Sequence, residues 1–381
     1  MYDFAIVGGG IYGSAVAYHL SGRGYSIGLF EREKPGAGAS GGEGKRGVRA
    51  SKRDVRELPL MREAYDIWPK LSDQLDADTG YERIGGVHLF ESETSGSTGG
   101  VNAARAMVAV QNQFGIETRL WDKKTVRGEY PGISKLIDGA VYAPNDGVAS
   151  HESTTAGFVR RARELGASVH EHTTVDEVIV AKSGQAIGVR CEEQEWPVRQ
   201  AVFIANNAGA PSLLEQLGLS NLPVWAVVPQ ALILRTREAP HIPYLTSHTS
   251  RPLSVKILSG DRVMLSGGWR GKWNQELDSG EALEANIEGN IETLTRVFPY
   301  LTDPYDVVAD ASRKEAATYD QIPIVDRMPG VNNILVATGW TGHGWALAPA
   351  VSRHIADWLD TGRRPDELRA FGIARFEGRT T

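Results

Sequence analysis

Residues 8–13, Gly8-Gly9-Gly10-Ile11-Tyr12-Gly13, constrain this chain more than any other stretch. They follow a short apolar run, Phe4-Ala5-Ile6-Val7, and lead into Ile11, Ala15, Tyr18 and His19, which recur at helical spacing through Leu20. Gly22 and Gly24 supply a flexible stop before a second apolar run, Ser26 to Phe30. Strand, turn, helix and strand make a βαβ unit, and Gly8, Gly10 and Gly13 place G-x-G-x-x-G where such a unit uses it. The first glycine permits the tight turn, the second lets backbone approach a pyrophosphate, and the third lets the helix pack on the strand. The helix N-terminus adds unpaired N–H groups and positive partial charge, so an anion belongs there. Glu31 ends the second strand, close to the roughly 20-residue offset of a carboxylate that accepts hydrogen bonds from an adenosine ribose, and it would repel a 2′-phosphate. The pattern predicts a bound dinucleotide and leaves FAD and NAD both open.

A second glycine-rich junction, Gly339-Trp340-Thr341-Gly342-His343-Gly344, lies between an apolar strand pattern over Asn333 to Thr338 and a helical pattern from Ala346 to Leu359. A nicotinamide cofactor needs one βαβ crevice. Junctions at both ends of a chain suit a longer ligand, with the second helix N-terminus stabilising negative charge at the N1/O2 side of a reduced flavin. The charge balance, 41 Lys+Arg against 47 Asp+Glu, contains no long basic run, so nucleic acid is not an expected partner. One cysteine, Cys191, excludes an internal disulfide and a cysteine-cluster metal site and fits a reducing, cytoplasmic setting. The nine histidines form no HExxH-like pattern, so no metal is expected, and no G-x-S-x-G elbow supports Ser-His-Asp hydrolysis. Neither a signal-peptide pattern nor an apolar stretch of membrane-spanning length is present, and no membrane partner is expected.

Between the junctions, residues 35–47 read as a glycine-rich loop, Glu57 to Leu75 as helix, Gly85 to Glu91 as strand, residues 91–100 as a polar loop and Val101 to Phe114 as helix. His151 to Gly166 follows as an amphipathic helix, with His151 near its N-cap. Val175 to Val180, Ala186 to Cys191 and Val198 to Ile204 read as strands. A sheet-rich region spans about Val224 to Gly268, before a helical segment from Glu281 to Phe298.

Taken together, DFAIVGGGIYGSAVAYHLSGRG, LFERE, GAGASGGEGKRGVR, ASHESTTAGFVRRARELGA, NNAGA at 206–210 and ATGWTGHGWALAPA at 337–350 resemble the D-amino-acid oxidase superfamily, in particular its glycine oxidase and sarcosine oxidase branch. The resemblance implies an α/β protein with a Rossmann-like, glutathione-reductase-type FAD-binding domain. It assembles that domain from residues 1–80, 145–215 and 316–381, and inserts an α+β substrate domain on an antiparallel sheet from residues 81–144 and 216–315. It sets FAD against Gly8, Gly10, Ile11, Tyr12 and Gly13, then Glu31 and Arg32, then Ser40, Gly41, Lys45 and Arg46 of the glycine-rich loop. Val175, Ala208 and Gly209 follow, with Gly339, Gly342, His343 and Gly344 at the second junction. The implied chemistry moves a hydride equivalent from the carbon beside an amine to flavin N5, leaving an imine that water hydrolyses. Glycine, sarcosine or another N-substituted glycine is the expected substrate, with O2 reduced to H2O2. The competing expectations are a dehydrogenase of the same fold with another acceptor, and a flavin-binding subunit of a hetero-oligomeric complex.

A carboxylate-bearing substrate needs a cationic anchor, preferably a planar guanidinium. Arg46, Arg49, Arg270 and Arg313 are candidates. By resemblance to the sarcosine oxidase branch, Arg46 is the basic residue at the flavin and Arg49 grips the carboxylate. Glycine oxidase uses an arginine near the strand containing Glu315, where Arg313 could substitute from the same strand face. The cysteine that tethers flavin in the sarcosine oxidase branch is replaced by Ala316 or Ala317, so FAD is expected to be non-covalent. Met264 aligns with the lysine that assists oxygen reduction there, which leaves Lys45 or Arg46 to supply positive charge. Trp225, Trp269, Trp273 and Trp340 could shape a pocket or pack a core.

Overall fold

The computed structural model of the chain describes residues 1–91, 100–219 and 222–377, so the interior of the polar loop expected over 91–100 lies outside the described residues. β1 (Tyr2–Val7) runs through the middle of an eight-stranded sheet. Its side chains alternate between two cores: Phe4 and Ile6 pack beneath α1 (Ile11–Ser21), while Ala5 and Val7 join Phe30, Val202 and Ile204 on the other face. Burial on both faces is the reason this run is continuously apolar. β1 pairs in parallel with β2 (Ile27–Phe30) on one side and with the far end of the Gln194–Ile204 strand on the other. The Ile334–Thr338 strand continues the parallel order, and α1 is flanked by the helices His151–Glu164 and Ala348–Thr361.

A second eight-stranded sheet runs, edge to edge, Asp306–Asp310, Ala231–Arg235, Arg262–Ser266, Ser254–Ser259, Leu245–His248, Gly86–Glu91, Ile137–Ala143 and Arg119–Asp122. The helix Glu284–Val297 closes a separate core against it with Leu232, Val263, Leu265, Leu294 and Phe298. Here the expected antiparallel sheet needs correction, because Leu245–His248 runs parallel to Gly86–Glu91. The two strands come from separate stretches of chain, and no hairpin obliges them to oppose each other.

Two helix boundaries also move. The helix expected from Glu281 begins at Glu284, because Ser279–Glu281 pairs as a strand with Lys272–Asn274. The last helix opens with a 3-10 turn, Gly344–Leu347, and Ala348–Thr361 then takes Pro349 in its first turn, where a missing N–H costs no intrahelical bond. No described helix is long and apolar enough to cross a membrane.

Candidate active site

A cavity of about 1110 Å³ separates the two sheets and reaches both glycine junctions. That exceeds the usual range for small-molecule pockets, roughly 300–1,000 Å³, and leaves room for a dinucleotide together with a small substrate. At the first junction Gly8 has φ +103°, and a Cβ on Gly13 would sit 1.9 Å from the Gly8 carbonyl oxygen. Gly13 therefore lets α1 close on β1 and does not itself line the cavity. Gly10 caps α1 without a side-chain partner, and no acid occupies the first turn, so the helix amides stay available to an anion. The Glu31 carboxylate accepts from the backbone N–H of Gly9 at 2.7 Å and of Glu33 at 2.9 Å, tying the end of β2 to the glycine turn.

The second junction meets the first directly. Tyr12 stacks on Trp340 with ring centroids 3.8 Å apart and planes 8° from parallel, and its hydroxyl donates to the Gly344 carbonyl at 2.6 Å. Gly339 is left-handed and packs on Thr318, whereas Gly342, at φ +79°, has no atom within 4 Å of where a Cβ would stand and lines the cavity with His343 and Gly344. His343 Nε2 lies 3.2 Å from Glu57 Oε1, and Arg53 donates to the His343 carbonyl at 2.8 Å. Tyr12→Phe keeps the stack but orphans a buried carbonyl. The expected cost is about 1–3 kcal/mol, read as a lower Tm and a lower flavin content in the purified protein.

The loop expected over residues 35–47 ends in a short strand, Arg46–Val48, pinned antiparallel to Gly147–Ala149. Arg46 donates to the carbonyls of Ser40 and, at 3.1 Å, Gly42, and its Nη2 lies 3.4 Å from His151 Nε2. Burial lowers its pKa to about 10 and takes that of His151 to about 3, so His151 is neutral. Three residues on, Arg49 also lines the cavity, and its buried Nη1 has no hydrogen-bond partner among the described residues. Asp146 fixes this segment from behind by accepting the Ala50 N–H at 2.8 Å and the Tyr65 hydroxyl. Burial raises the Asp146 carboxyl to about 6.

Other expected site residues divide. Ile11, Arg32, Ser40, Gly41, Val175, Ala208 and Gly209 border the cavity. Lys45 does not, and pairs instead with Glu82 at 2.6 Å. Arg313 borders it, but its guanidinium forks onto both oxygens of Glu33 at 2.7 and 2.8 Å, which removes it from the anchoring role expected of it. It precedes the strand that starts at Glu315, so the same-face alternation does not apply. Ala316 and Ala317 are buried, and Cys191 belongs to the core on the far face of the first sheet, its thiol pushed up to about 11 by burial.

One residue has no counterpart among those expected from the sequence. Lys256, on the strand Ser254–Ser259, is buried, borders the cavity and pairs across the sheet with Met264. Burial lowers its pKa to about 7, and Arg46 and Arg49 push in the same direction. The positive charge missing at position 264 is thus present on the adjacent strand. Its only signal in the sequence is a lone lysine inside the apolar alternation of Val255 and Ile257.

A family model described as FAD dependent oxidoreductase (DAO) matches residues 3–358. Glycine oxidase of Geobacillus kaustophilus is 25% identical over 386 residues, which cover 99% of this chain and 98% of that protein. The mitochondrial pyruvate dehydrogenase phosphatase regulatory subunit of Mus musculus is 24% identical, across 97% of this chain but 43% of its own length. Among solved structures, L-proline dehydrogenase from P. horikoshii superposes with a TM-score of 0.86 at 21% identity, covering 99% of this chain and 98% of that one.

Proposed function

The chain belongs to the DAO family of FAD-dependent oxidoreductases, and from that premise we propose that it oxidises the C–N bond of glycine, sarcosine or another N-substituted glycine with dioxygen as acceptor. In the overall reaction the α-carbon and nitrogen lose two electrons and two protons to give an imine. Water then converts the imine to glyoxylate and the free amine, while O2 takes up the two electrons and two protons as H2O2.

The residues present fit the cofactor. The uncapped N-terminus of α1 and the open Gly10 suit a pyrophosphate, Glu31 a ribose, and Gly342 to Gly344 a flavin edge. When bound, FAD supplies the two-electron acceptor. The chain's own groups do the rest. Arg49 offers the substrate carboxylate a buried guanidinium whose Nη1 has no hydrogen-bond partner among the described residues, and this single observation carries the reading. Arg46, held by backbone carbonyls, keeps a fixed positive charge beside the glycine-rich loop. Lys256 offers an ammonium to dioxygen as negative charge builds on it.

The test is anaerobic titration of the purified yellow protein with glycine and sarcosine, followed by admission of air and a peroxide assay. Bleaching followed by stoichiometric peroxide is expected, and failure of every such amine to bleach the flavin overturns the proposal. Lys256→Met should slow reoxidation by O2 roughly a hundredfold, about 3 kcal/mol, while bleaching by substrate stays near the wild-type rate. Because the lysine titrates at about 7 and the charged form is the useful one, wild-type reoxidation should fall as pH rises through that value, and the variant should lose this dependence.

A further inference from the structure

The cavity holds more positive charge than one carboxylate can neutralise. Arg46, Arg49, Lys52, Lys256, Arg270 and Lys314 all border it, and none forms an ion pair within the described residues. Of the acids that line it, Asp54 is paired with Arg56 at 2.8 Å and Glu57 with Arg53 at 3.2 Å, while Glu31, Asp278 and Glu315 form no ion pair among the described residues. Lys52, like Arg270 and Lys314, has no task in the reaction proposed above, and of these three it is the one that follows Arg49 by three residues. Its backbone is left-handed, at φ +61°, a conformation that is strained for a residue bearing a Cβ and that glycine would adopt freely. The residue is exposed but its ammonium lies along the cavity wall, where partial desolvation first and the repulsion of Arg49 second lower its pKa to about 8. Behind it stand His88 and His248, both buried and with their pKa values lowered by burial, so no negative charge meets it from that side. Glu91, beyond them, is held bidentate by Arg251 at 2.7 and 3.1 Å.

We infer that Lys52 forms a second anion subsite beside Arg49, and that the substrate is an N-substituted glycine whose nitrogen substituent ends in a second carboxylate. The inference rests on the amine-oxidation reading for the identity of the substrate and on the charge arrangement alone for the subsite. A matched pair of sulfur isosteres separates the two. Methylthioacetate and thiodiacetate replace the amine nitrogen by sulfur, so neither is an amine substrate, and they differ by a single carboxylate.

Binding to the FAD-loaded protein is followed by perturbation of flavin absorbance and by calorimetry. Thiodiacetate should bind about three- to fivefold more tightly, the upper range for a solvent-exposed ion pair, and added salt should erode the advantage. Lys52→Met should abolish it while the Kd of methylthioacetate stays within twofold, and Lys52→Arg should retain it. Equal affinities in the wild type, absence of binding by either ligand, or equal weakening of both ligands by Lys52→Met overturns the subsite. Should the affinity ratio hold while no amine bleaches the flavin, the subsite stands and amine oxidation falls. Bleaching by sarcosine with no affinity ratio leaves amine oxidation standing and removes the subsite.

Discussion

Arg49→Ala is expected to raise the Michaelis constant for a carboxylate substrate roughly a hundredfold, the consequence of losing about 3 kcal/mol when one partner of a buried, hydrogen-bonded charge pair is truncated. The residue is positioned for that effect from both sides. The strand pairing of Arg46–Val48 with Gly147–Ala149 fixes the backbone just before it, and Asp146 holds the Ala50 N–H just after it. Nη1 is left without a partner, and burial lowers the pKa of the group. A guanidinium in this condition favours an incoming carboxylate strongly, because both ions shed water into a site already shaped to receive them. Steady-state kinetics of the holoenzyme gives the measurement, with flavin content as the control for folding. Arg49→Lys should recover only part of the loss, since a point charge cannot bind two oxygens in a plane. An unchanged Michaelis constant for every carboxylate substrate would remove Arg49 from the anchoring role.

The second large effect is expected at Gly13. A methyl group there would lie 1.9 Å from the Gly8 carbonyl oxygen, with Ile6 Cγ2 at 3.2 Å. Backbone cannot yield as a flexible side chain does, so Gly13→Ala must lift α1 off β1. Overpacking of this kind costs about 1–3 kcal/mol in stability, and it also misplaces the N–H groups at the head of α1. The variant should purify largely colourless, with a flavin-to-protein absorbance ratio several-fold below wild type and a lowered Tm that excess FAD restores only in part. Gly10→Ala makes a useful contrast, because nothing lies within 4 Å of a Cβ at that position in the protein itself. It should leave the apoprotein Tm close to wild type and weaken only cofactor retention.

The parts of this molecule legible in its sequence are those whose chemistry is local. The first βαβ unit, the glycine spacing and the second junction each depend on residues a few positions apart, and the elements form where the spacing places them. The parts that are not legible depend on a distant partner. Lys256 reads as one lysine in a strand, and its burial follows only once the second sheet turns that face toward the cavity. Arg313 reads as free because Glu33 lies on another segment entirely, and Lys45 is diverted by Glu82. The parallel step between Leu245–His248 and Gly86–Glu91 likewise has no local signature, since strand direction in the sequence pattern is carried by hairpins and none joins these two.

The clasp between Tyr12 and residues 340–344 bears on how the protein is made. A ribosome releases Tyr12 332 residues before Gly344, so the nascent chain carries an unfinished junction over that whole interval. Of the two neighbours of β1, Ile27–Phe30 follows at once and Gln194–Ile204 only after the intervening strands of the second sheet have begun, and Ile334–Thr338 then adds to the latter. A premature stop just upstream of Gly339 would therefore leave the first strand between both of its partners but deprive Tyr12 of the Trp340 ring and the Gly344 carbonyl.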